Sequence, residues 1–100
     1  MKSAVDLEPS LEALQSLTQV YLQTEKYDQA KIVLHRTVKE FPYDSTAHFE
    51  FARLLEMSKR YDEAKREYAA GLMTDATNAG AKAAIKRIEQ QQDERTRPAQ

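Results

Sequence analysis

The chain has no cysteine. Disulfides and thiolate chemistry are therefore both excluded. Glycine is almost as scarce, with Gly71 and Gly80 the only two. A loop that cradles phosphate needs several glycines close together, so that route to nucleotide chemistry is closed. No charge of one sign dominates: 15 Lys and Arg stand against 16 Asp and Glu, for a net charge of −1. A chain so balanced lacks the basic face of a nucleic-acid binder or of a protein held on an acidic membrane. Long apolar runs are missing too. No stretch approaches the roughly 20 residues of a membrane span, and the opening MKSAVDLEPS does not read as a signal peptide. Nucleic acid and membrane are accordingly not expected as partners, and a soluble cytoplasmic protein is the expectation.

What is present is a repeat. Lys26-Tyr27-Asp28-Gln29-Ala30-Lys31 returns as Arg60-Tyr61-Asp62-Glu63-Ala64-Lys65, 34 residues later. Alignment on that offset gives copies at 11–44 and 45–78 and the start of a third at Ala79. One hundred residues make one small domain, and 41% apolar content suffices for a stack of helices. Apolar residues at Leu14, Leu17, Val20 and Tyr21 have helical spacing, and Pro9 suits a first turn. The expected helices are 9–24, 27–41, 45–58, 61–74 and 79–92. Pro42 ends the second, Asp44 or Ser45 caps the third, and Asp75, Thr77 and Asn78 are cap-type residues before the fifth. Residues 1–8 form a short arm. The charged end 93–100 is expected to be disordered. No segment alternates like a strand, so the fold class is all-α.

The period, the helix pairs and the residues at fixed places resemble the tetratricopeptide repeat family. Copy one supplies Leu14, Leu17, Tyr21, Ala30, Leu34 and Pro42, and copy two supplies Phe51, Ala52, Ala64, Tyr68 and Gly71. Thr18 and Thr37 stand where Gly or Ala is usual, and His48 where an apolar residue is usual. The resemblance implies antiparallel helix hairpins in a right-handed superhelix, with repeats 11–44 and 45–78 and a capping helix 79–92. Two helices approach closely only over a small residue, so Ala30 and Ala64 are expected at the crossings. Leu17, Tyr21 and Leu34 would fill the space on either side.

A catalytic or metal site is not expected. His35 has Lys31 and Lys39 at helical spacing, which disfavours a cation, and His48 reads as a packing residue. No cofactor is implied. The resemblance instead implies a non-enzymatic module that binds a peptide in the groove lined by the first helix of each pair. Residues four apart on these helices give Gln15, Gln19 and Gln23, then Phe49, Arg53 and Met57, with Arg87 on the last helix. Arg53 and Arg87 lie 34 residues apart and would together suit an acidic or C-terminal carboxylate group. Some members of the family clamp chaperone C-termini with Lys, Asn and Arg. Here Gln15, Gln19 and Glu50 replace those Lys and Asn residues, so that clamp is not reproduced. A small chaperone-like adaptor is an alternative reading. Another is a self-assembling unit, since Leu11, Ala13 and Val20 are interface-type residues with no repeat before them. That end would be covered by residues 1–8 or by a homodimer.

Overall fold

In the computed structural model, which describes residues 9–96, the chain forms five α-helices. They are α1 (Leu11–Gln23), α2 (Tyr27–Glu40), α3 (Ser45–Met57), α4 (Tyr61–Leu72) and α5 (Ala79–Thr96). No strand occurs among the described residues, and none of these helices is long and apolar enough to cross a membrane. The expected arm, 1–8, and the last part of the expected tail, 97–100, lie outside the described residues.

The helix starts repeat with the period of the sequence. Ser10, Asp44 and Asn78 stand 34 residues apart. Each side-chain oxygen accepts the N–H three residues on, from Ala13, Ala47 and Ala81, at 3.1, 3.0 and 2.8 Å. A free N–H in the first turn is satisfied each time. Ser10 therefore sits at the cap, and α1 begins at Leu11 rather than at Pro9 as expected. Between the helices of each pair the chain reverses through a left-handed residue, Glu25 (φ 58) or Lys59 (φ 64). Lys26 N–H donates to the Tyr21 carbonyl and Glu25 N–H to that of Leu22. Arg60 and Lys59 do the same with Leu55 and Glu56. This double bond pattern closes the helix end and turns the chain sharply back.

Helices adjacent in sequence pack on one another. Ala30, Ala52 and Ala64 are fully buried, and Leu34, Leu55 and Ile88 fill the space around them. The two threonines at small-residue positions are also buried, at 1% exposure each. Their hydroxyls donate to the carbonyls four residues back, Leu14 and Val33, so burial leaves neither unsatisfied. His48 ties the α2–α3 turn to α4. Its Nε2 donates to the Pro42 carbonyl at 2.8 Å, and its Nδ1 lies 2.7 Å from Glu67 Oε1.

Two expectations need correction. Leu17 is 41% exposed rather than packed beside the crossing, because Leu14 and Thr18 turn that face of α1 to α2. Helix α5 continues to Thr96, four residues beyond the boundary expected at 92. The stretch 93–96 lacks Gly and Pro, so nothing in the backbone stops it.

Candidate functional site

The first helix of each copy, together with α5, lines one side of the stack. Arg53 lies in the middle of α3, with Glu50 one turn before it and Glu56 one turn after it. The row expected across the groove was Gln19, Arg53 and Arg87. The side chains instead reach past Arg53 to its acidic neighbours. Gln19 Nε2 donates to Glu50 Oε2 at 3.1 Å. Arg87 donates to Glu56 through Nε at 3.0 Å and through Nη2 at 2.8 Å to both oxygens. Arg53 and Arg87 are therefore not an open guanidinium pair. Two like charges repel, and Arg87 gains more from the carboxylate one turn along α3.

Glu56 carries a second load. The Tyr68 hydroxyl, on α4, donates to Glu56 Oε1 at 3.1 Å. Burial, with Glu56 adding to it, pushes the Tyr68 phenol up to about 12. The Arg87 pKa is raised by the hydrogen bond with Glu56. Burial likewise holds the Glu50 carboxyl above the usual carboxylate range, against the opposing effects of Arg53 and Gln19. The result is a chain of polar contacts across α1, α3, α4 and α5 that goes around Arg53. Arg53 itself is exposed and enters none of the ion pairs among the described residues.

Arg53 also lines three recesses. One, of about 250 Å³, has Leu22, Tyr27, Leu54 and Met57 as its apolar walls and Glu50 at its edge. The second, of about 420 Å³, lies against Phe49, Tyr68, Ala81 and Ala84. The third, of about 350 Å³, is bounded by Glu56, Met57, Tyr61 and Gln91. Arg87 lines the last two as well.

Of the expected groove residues, Met57 is 61% exposed, Gln23 is exposed and Gln15 is half-buried. Phe49 is only partly available. Its ring packs on Gly71, where a Cβ would collide with it, and tilts against Tyr68 with centroids 6.4 Å apart. The residues sequence reasoning missed are Glu50, Glu56, Tyr68, Leu22 and Tyr27. Two of them were legible, since carboxylates three residues either side of an arginine on a helix share its face.

A larger recess, of about 460 Å³, opens between α2 and α4. Its floor is Phe51, with the exposed His35 ring at 5.8 Å, and its rim charges are already matched as Lys31–Asp28 and Arg60–Glu63. No group of three or more His, Asp or Glu is placed to hold a metal ion among the described residues.

A tetratricopeptide repeat profile matches residues 21–88. The chain is also similar to the solved structure of a MamA mutant, with a TM-score of 0.76 and 23% identity. The match covers 87% of this chain and 64% of that one, so this chain spans less than two thirds of its neighbour's length. At that identity the likeness speaks to the fold. No curated protein matches the chain.

Proposed function

The chain belongs to the tetratricopeptide repeat family, and from that premise we propose that it holds a peptide segment of a partner protein in the α1–α3–α5 groove, with Arg53 as the anchor for a ligand carboxylate. A protein-interaction module is what the family supports in general. The observation that carries the finer reading is the state of Arg53. It is the groove guanidinium that enters no ion pair among the described residues, and it lines all three recesses.

A carboxylate suits this site because Arg presents a planar pair of donors that a carboxylate can engage bidentately. Glu50 and Glu56 are held by Gln19 and by Arg87 with Tyr68. Those bonds draw the two acids' charge away from Arg53. Met57 and Leu22 offer apolar contact beside it, so the ligand is an acidic residue or free C-terminus followed or preceded by an apolar side chain. The reading assigns no catalytic step.

The test is binding of a labelled peptide panel, free acid against C-terminal amide and acidic against neutral. Acidic or free-acid peptides should bind more tightly, with affinity falling as salt rises. Arg53→Ala should abolish the preference and Arg87→Ala should change it little. Equal binding by wild type and Arg53→Ala would overturn the assignment.

A further inference from the structure

Three positions recur through the copies on the face that meets the preceding helix pair. Ala47 and Ala81 are 2% and 3% exposed, and Leu54 and Ile88 are 4% and 0%. Phe51 is buried and Ile85 half-buried at the third position. The corresponding residues of copy one are Ala13, Val20 and Leu17. Ala13 is exposed, Leu17 is 41% exposed and Val20 is 54% exposed. The same residue types thus cover a neighbour twice within the molecule and meet none among the described residues at α1.

The two ends of the stack differ. On α5, Lys82, Lys86 and Glu89 are exposed at the positions held in α3 by the buried His48, Ala52 and Leu55. That end is a solvated cap and offers a second copy no apolar surface. Ile32, Tyr43 and Met73 are exposed, but singly and on other elements. The geometry points to a second copy of this chain on the α1 face, joined by a two-fold axis that sets α1 antiparallel to its counterpart.

Charge and shape both favour that arrangement. Among its 13 residues α1 carries one charged side chain, Glu12, in its first turn. Antiparallel pairing separates the two Glu12 carboxylates by roughly 13 Å along the axis, whereas parallel pairing would set them side by side. It also places small Ala13 opposite Val20, with Leu17 nearest the axis, and aligns the helix dipoles head to tail. One helix face per chain is less than the about 800 Å² per partner of a standard interface. The dimer should accordingly form at the high end of a concentration series. This inference does not depend on the groove reading.

Light scattering on the full chain over a wide dilution series tests it. The mass should rise from one chain toward two, and Val20→Glu should hold it at one chain with thermal unfolding unchanged. Because the protein has no cysteine, single thiols report the contact directly. Leu17→Cys should cross-link into a covalent dimer on mild oxidation much faster than Met57→Cys, an equally exposed control. A wild type of one-chain mass throughout would overturn the proposal, as would a doubled mass that survives Val20→Glu. So would a monomer destabilised by Val20→Glu, since residues 1–8 would then be the cover. Equal cross-linking by the two thiols would also count against it.

Discussion

Tyr68 is 3% exposed and donates its hydroxyl to Glu56, so ionising it places a second negative charge beside a buried carboxylate. Its phenol is raised from 10.0 to about 12 in the folded protein. Below pH 10 it is protonated in both folded and unfolded chains, and its contribution to stability is fully present. Between pH 10 and about 12 the unfolded chain releases the proton first, so stability falls as pH rises through that window. An absorbance titration should show one of the five tyrosines ionising late, and Tyr68→Phe should remove that component. Ala64 makes the other prediction at this scale. It is fully buried at the crossing of the second hairpin. Ala64→Leu should destabilise by about 1–3 kcal/mol in urea or thermal unfolding, because no void exists to take the added atoms. An unchanged midpoint would contradict the packing register.

The helices owe their ends to chemistry that repeats with the sequence. Three caps and two left-handed turns recur at one spacing, so each hairpin is built by the same local rules. The turns are where the local rules conflict with the residues present. Glu25 and Lys59 adopt a conformation that costs a non-glycine residue roughly 1–2 kcal/mol. Glycine would avoid that cost but would lose about 0.5–1 kcal/mol to its greater freedom in the unfolded chain. Lys59→Gly should therefore raise stability by roughly 0.5–1 kcal/mol, read as a higher urea midpoint, and Glu25→Gly should do the same. A lower midpoint would show that the side chain, not the backbone, is what the turn needs.

Across the whole molecule the groove is set by which charges find each other between helices. Glu56 occupies Arg87 and Tyr68 at once, so an incoming carboxylate must compete with it for that arginine. Glu56→Gln removes the competing charge and keeps an oxygen for the tyrosine. Acidic peptides should then bind roughly two- to fivefold more tightly, the equivalent of one exposed ion pair, and Arg87→Ala should reverse that gain. Peptide binding unaffected by Glu56→Gln would mean that ligand does not approach Arg87.

The 34-residue offset, the helical spacing, the small residues at Ala30 and Ala64 and the stop at Pro42 were enough to determine five helices, their order and their pairing, because each depends on local geometry and on one repeated contact. The cap at Asp44 was legible for the same reason. The fate of the arginines was not. An offset of 34 places Gln19, Arg53 and Arg87 in one row, but long side chains reach a full turn along a neighbouring helix and settle on the nearest opposite charge. That choice takes Gln19 to Glu50 and Arg87 to Glu56, and it leaves Arg53 exposed between them. Likewise the sequence marks Leu17 and Val20 as apolar on a helix, while only the stacked structure shows that their counterparts in the later copies are covered and they are not. Local spacing decides which residues share a face; packing in three dimensions decides what that face meets.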